Sequence, residues 1–150
     1  ENCHGEIIVT ADSDCSYTME EIPTLLNVLE TENLDFISTN RFAFMEHESM
    51  MPLNNFGNKV LTFIANILFK FNLKDSQSGM WIFRKKILEK IKLTSNGMAL
   101  SQEIKIRAFA GCKAKEVDSG YRKRVGKVKL RMFLDGLDNL FNLFKMRLLE

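Results

Sequence analysis

The chain has 150 residues, enough for one domain with its own core, and with 45% hydrophobic and 27% charged residues it does not have a disordered composition. A formal net charge of +2 offers no global argument for nucleic acid binding, and none is expected. The three cysteines, Cys3, Cys15 and Cys112, fit no disulfide framework, and with only His4 and His47 beside them no Cys/His zinc site is expected; a reducing compartment is.

The longest nearly apolar run, Val60 to Phe69, is broken by Thr62 and Asn66 and falls short of the roughly 20 residues a spanning helix needs. The chain opens Glu-Asn-Cys-His-Gly, with no basic leader region and no initiator Met, so an internal segment of a longer protein is expected.

In chain order, Glu6 to Ala11 is a short β-branched run of the kind found in buried parallel strands. Thr18 and Glu21 have capping-box spacing ahead of a helical face made by Ile22, Leu25, Leu26 and Leu29, with Pro23 tolerable only in the first turn. Leu34 to Thr39 reads as the next strand, completing a βαβ unit and implying a parallel sheet. Arg41 to Asn55 reads as a loop. A helix follows, marked by Phe56, Val60, Phe63, Ile64, Ile67, Leu68 and Phe71, then a polar break from Asn72 to Gly79. Met80 to Phe83 suits a short strand, Arg84 to Ile91 and Ser101 to Ala110 suit helices, and Lys113 to Val117 suits a last strand. The chain closes on an amphipathic helix from Arg131 to Leu149 with Phe133, Leu134, Leu137, Leu140, Phe141, Phe144 and Leu148 on one face.

Three polar clusters stand out. Asp12 and Asp14 lie one residue apart after the first strand, where open α/β sheets bind ligands, and two such carboxylates can hold a hard divalent cation; Asp and Ser are also ordinary turn residues. The segment from Lys74 to Gly79 offers Asp75 to the same cleft, or is simply a polar turn. Tyr121 to Arg131 holds six basic residues and no acid, suiting phosphate groups, anionic headgroups or plain solvation. The two Phe- and Leu-rich helices read first as core packing; for the last one, lying in a membrane interface is an equal alternative.

In order, I-I-V-T-A-D-S-D, Tyr17, E-E-I-P-T-L-L, S-T-N-R-F, M-P-L-N-N-F-G-N-K-V-L-T, K-D-S-Q-S-G-M-W-I-F-R-K, N-G-M-A-L-S-Q-E-I and Y-R-K-R-V-G-K-V-K-L-R resemble the dolichyl-phosphate mannose synthase and polyprenyl-phosphate glycosyltransferase branch of glycosyltransferase family 2. The resemblance covers nearly the whole chain. It implies an α/β fold, part of a Rossmann-like nucleotide-diphospho-sugar transferase domain with a mostly parallel sheet. Residues 1–130 would be the C-terminal portion of the catalytic domain, and 131–150 an amphipathic helix at a membrane surface.

The resemblance also implies roles. Asp12 and Asp14 would hold Mg²⁺ or Mn²⁺ and the diphosphate of a nucleotide-sugar donor, with Ser16 where some relatives place a further ligand. Arg41 would face a phosphate. Asp75 would be the candidate base, and Gln77 and Glu103 would shape the acceptor site. Arg124 and Lys129 would grip the phosphate of a polyprenyl-phosphate lipid. The implied reaction is inverting hexosyl transfer, GDP-mannose favoured as donor and UDP-glucose the alternative, at the cytoplasmic face of a membrane; a non-catalytic membrane-associated fragment is the competing reading. The chain departs from the pattern at Asn55, where an arginine is common, and at Val128, where a small hydroxyl residue is. The resemblance further implies that the residues reading the nucleotide base belong to an N-terminal half that these 150 residues do not include.

Overall fold

A computed structural model describes residues 3–126 and 132–148, with side chains described from 135 onward in the second stretch. The elements are β1 (Ile7–Thr10), α1 (Ile22–Thr31), β2 (Phe36–Met45), α2 (Pro52–Phe69), β3 (Trp81–Arg84), α3 (Met98–Gly111), β4 (Ala114–Tyr121) and α4 (Met132–Leu148). The strand order is β1-β3-β2-β4. β2 and β4 pair in parallel, but β3 lies between β1 and β2 and runs antiparallel to both. The sheet is therefore mixed, correcting the mostly parallel expectation. β1 and β2 do run the same way around α1, but they are not neighbours. The apolar run that marks β3 records burial on both faces and carries no information about strand direction.

Side chains alternate across the sheet. Ile37 and Ile82 face α1, joining Leu25, Leu29, Leu34 and Tyr17. Phe36 and Phe83 face the other way, onto Ile87, Ile104 and Ala108 of the α3 layer. Phe36 stacks with both Trp81 and Phe83. Leu29 and Ile37 are fully buried, each stabilising the fold by roughly 1.5–3 kcal/mol. A third cluster joins α2, α3 and α4 through Leu61, Ala65, Ile106, Leu143 and Met146.

Several local expectations change. The capping box at Thr18 does not form: Glu21 instead accepts hydrogen bonds from Ser119 and Gly120 of β4, and a 3-10 turn (Met19–Glu21) precedes α1. The predicted loop after Thr39 is partly strand, since β2 continues to Met45 through an irregularity and pairs with Gly120 and Tyr121. α2 starts at Pro52, whose missing N–H costs nothing in the first turn, and ends at Lys70 in the left-handed conformation. The helix expected from Arg84 to Ile91 is a 3-10 turn (Lys85–Glu89).

The apolar helices turn part of their greasy faces outward. On α2, Leu61 and Ala65 are buried while Leu53, Phe56, Phe63 and Ile67 are exposed. On α4, the buried stripe is Asn139, Asn142, Leu143 and Met146, whereas Leu137, Phe141, Phe144 and Leu148 are exposed. Core packing thus accounts for only part of the pattern read from the sequence. Among the described residues no helix is long and apolar enough to cross a membrane.

Candidate functional site

Four segments meet at one edge of the sheet: the loop after β1, the middle of β2, the turn leading into β3, and the end of β4 with the basic residues that follow. Because β3 is antiparallel, its start lies at the same edge as the carboxyl ends of the other strands, the place where α/β sheets bind ligands.

The acidic loop is built around Asp14. Its carboxylate accepts hydrogen bonds from the backbone N–H and hydroxyl of Ser16, and forms an ion pair with Arg124. Two backbone bonds strap the basic segment to this loop: Arg122 N–H donates to the Ser16 carbonyl and Val125 N–H to the Asp14 carbonyl, both at 2.8 Å. Burial works against the charge of Asp14, but the Ser16 and Arg124 hydrogen bonds prevail and its pKa is lowered. Asp12 behaves oppositely: burial, then the neighbouring charge of Asp14, raises its pKa.

The segment from Lys74 to Met80 has no regular structure, and side chains from across the domain hold its backbone. Glu116 of β4 accepts from the amides of Lys74 and Asp75, and Thr62 of α2 from that of Ser76. Tyr17 accepts from the amide of Gly79. A methyl group at the Cα of Gly79 would stand 3.0 Å from the Asp12 carboxylate and 3.2 Å from the Tyr17 hydroxyl, so any side chain here would push on both. The close approach packs this turn directly against the acidic loop.

Arg41 and Asp75 form the buried centre. Arg41 Nε and Nη2 donate to the two carboxylate oxygens at 2.6 and 2.9 Å, the fork geometry that matches guanidinium to carboxylate. The amides of Arg41 and Gln77 add bonds at 3.2 and 3.0 Å. The guanidinium also lies 5.4 Å from the centre of the Tyr121 ring. Burial opposes both charges, yet each outweighs it for the other: the Asp75 pKa is lowered and that of Arg41 raised. A carboxylate receiving four hydrogen bonds, with its proton affinity reduced, is poorly placed to act as a base. The geometry instead gives Asp75 the task of holding Arg41.

The remaining sequence candidates are dispersed. Gln77 links the turn to α4, accepting from Asn139 at 3.2 Å. Glu103 lies on α3, where it accepts from the amides of Thr94 and Ser95 and from Arg107. These bonds overcome its burial and hold its pKa at about 2; they shape the loop before α3, and its hydrogen bonds and ion pair go to Thr94, Ser95 and Arg107 rather than to Asp75 or Arg41. Asn55 is half-buried on α2, its amide oxygen without a partner among the described residues. Lys129 and Val128 lie outside the described residues.

Sequence reasoning missed Lys105 and Glu116, and gave Ser78 only as part of the polar turn. Lys105 is buried in α3 and donates to the Ser78 carbonyl. Its helix has no apolar stripe, so nothing in the sequence marked a lysine there as inward-facing.

The family profile of glycosyl transferase family 2 matches residues 1–92. The chain is 33% identical over 142 residues to a low-salt glycan biosynthesis hexosyltransferase of Haloferax volcanii, covering 91% of this chain and 34% of that protein. It is 34% identical over 131 residues to a dolichyl-phosphate hexose transferase of the same organism, covering 87% and 56%. A UDP-N-acetylglucosamine–dolichyl-phosphate N-acetylglucosaminyltransferase of Methanococcus voltae is 25% identical over 109 residues, covering 72% and 40%. The chain belongs to glycosyl transferase family 2. It spans between about a third and just over half the length of these relatives.

Proposed function

We propose that this chain forms part of an enzyme that transfers a hexose from a nucleotide sugar to a polyprenyl or dolichyl phosphate. The observation that carries the reading is the convergence at one sheet edge of an acidic pair, Asp12 and Asp14, with two arginines, Arg41 and Arg124. The named activities of the two Haloferax volcanii relatives support it.

The donor set fits a hard divalent cation. Asp12 and Asp14 supply oxygen ligands one residue apart, and burial, then the charge of Asp14, raises the Asp12 pKa. Among the described residues no cluster of three or more acidic, His or Cys ligands is present, so diphosphate and water oxygens would complete the shell of Mg²⁺ or Mn²⁺. When bound, such an ion neutralises charge on the departing nucleoside diphosphate.

In the proposed reaction a phosphate oxygen of the lipid forms the bond to the anomeric carbon. The bond from that carbon to the nucleoside diphosphate breaks, its electron pair leaving with the diphosphate, and configuration inverts. A lipid phosphate is already anionic near pH 7, so no strong base is required, in keeping with Asp75 being committed to Arg41. Arg41, fixed by Asp75 and backed by the Tyr121 ring, presents charge to a phosphate. Arg124, already drawn onto Asp14, would move between that carboxylate and substrate phosphate, with Lys129 following in the same basic segment. We place the site at the cytoplasmic face of a membrane, with the outward apolar residues of α2 and α4 toward the lipid. GDP-mannose is the donor favoured by the motif resemblance, and the name of the Methanococcus voltae relative supports testing uridine nucleotides beside it.

The test is sugar transfer from labelled GDP-mannose and UDP-glucose to a polyprenyl phosphate, with Mg²⁺ or Mn²⁺, using the full-length protein. Labelled lipid that depends on metal and falls at least about a hundredfold in Asp14→Asn is the expected outcome. Transfer unaffected by Asp14→Asn would remove the acidic pair from the reaction.

A further inference from the structure

α3 places a lysine where a soluble helix rarely does. Lys105 is 1% exposed, its ammonium donates to the carbonyl of Ser78, and burial drives its pKa down to about 7. The charged groups that act on it come from every side: Asp75 from the turn, Arg41 from β2, Glu116 from β4 and Asp12 from the acidic loop. A buried ammonium costs free energy that an apolar side chain of the same shape would not, and packing alone gives no reason for it. Among the described residues its one hydrogen-bond partner is a carbonyl in the middle of the turn, one residue from Gly79, which packs on Asp12, and three from Asp75, which holds Arg41.

The turn explains what that bond does. Its amides are fastened by Glu116, Thr62, Asp75, Tyr17 and Ser78 itself. None of these comes from α3. Lys105 ties α3 to the turn through the Ser78 carbonyl, while the next two carbonyls, of Gly79 and Met80, accept from Thr10 of β1 and Thr39 of β2.

Resting on the transfer reading above, we propose that Lys105 is a positioning residue of the reaction: by fastening the Ser78 carbonyl it holds the 74–80 turn in register with both Asp12 on the donor side and the Asp75–Arg41 pair on the acceptor side. Lys105 touches neither substrate. Loosening it shifts the two halves of the site relative to each other, which alters attack geometry while leaving each substrate's own contacts in place.

The experiment compares Lys105→Met, which keeps length and loses charge and donor, with wild type in the full-length protein. Ile106→Ala, a buried neighbour on the same helix, serves as a control for general destabilisation. Two readouts are taken: amide hydrogen exchange at Gly79 and Met80, and kcat against KM for the nucleotide sugar. The expected result for Lys105→Met is exchange at these amides at least about tenfold faster, and kcat at least about tenfold lower with KM changed less than about threefold. Ile106→Ala should do neither at an equal loss of Tm. If the methionine variant does not fold, Lys105→Leu replaces it with the same readouts, since it also removes charge and donor and is shorter. Exchange at Gly79 and Met80 within about twofold of wild type, or a kcat loss matched by Ile106→Ala, would overturn the proposal. A wild-type protein without any transfer activity would defeat the transfer reading, and the exchange measurement alone would then decide whether Lys105 holds the turn.

Discussion

The pairing of Arg41 with Asp75 shows how a residue's place in the fold changes its chemistry. As a sequence feature, Asp75 was a polar residue before a glycine, open to solvent or to a substrate. In the structure its side chain is fully buried, and its charge persists only because a guanidinium lies against it. Breaking such a pair leaves an uncompensated buried charge, at a cost of about 3–5 kcal/mol. Asp75→Asn should therefore lower unfolding free energy by about that amount in a denaturant titration. Replacing Arg41 and Asp75 together with apolar residues should cost less than the sum of the single changes. Full additivity would mean that the two residues act independently.

Among the elements, α3 is the one whose sequence hides its role. Gln102 to Ile106 are all buried, so the helix is enclosed on most sides and shows no apolar stripe. Its polar residues work inward: Lys105 ties the turn, and Glu103 ties the preceding loop through Thr94 and Ser95. The second tie has a pH signature. The folded-state pKa of Glu103 is held at about 2, against an ordinary value of 4.5. Its contribution is therefore complete above pH 4.5 and is lost as pH falls toward 2. Wild type should lose on the order of 1–3 kcal/mol more stability across that window than Glu103→Gln, measured by unfolding at stepped pH. Parallel curves for the two proteins would show that the Thr94 and Ser95 bonds do not depend on the charge.

For the whole molecule, the outward apolar residues belong to helices that are firmly packed on their inner sides. Phe63 is 65% exposed on α2 and Phe141 72% exposed on α4, while Leu61 and Leu143 of the same helices join one buried cluster. Replacing an exposed phenylalanine with serine removes little from the core, so stability should change by less than about 0.5 kcal/mol. Binding to anionic lipid vesicles should nevertheless weaken in Phe63→Ser and Phe141→Ser, as read by co-sedimentation. Attraction by the basic residues alone would fade with added salt, whereas the apolar contribution would persist. Vesicle binding unchanged by both substitutions would remove these faces from membrane contact.

Much of the architecture was legible in the sequence. β1, α1, the first half of β2, α2 and β3 announced themselves by apolar runs and by the spacing of Leu, Ile and Phe, because burial of side chains is a local property that repeats with the backbone. The ordered motifs gave the family, and the Asp12 and Asp14 loop fell at a strand end where chemistry is expected. Three things had to wait for the tertiary structure. The direction of β3 depends on which strands flank it, and its four residues carry no mark of that. The state of Asp75 depends on Arg41, 34 residues away in the chain. The inward position of Lys105 depends on α3 being enclosed between the sheet and two other helices. In each case the deciding contact is long-range: local sequence sets what an element can be, and only its neighbours in space decide which way it points and what charge it keeps.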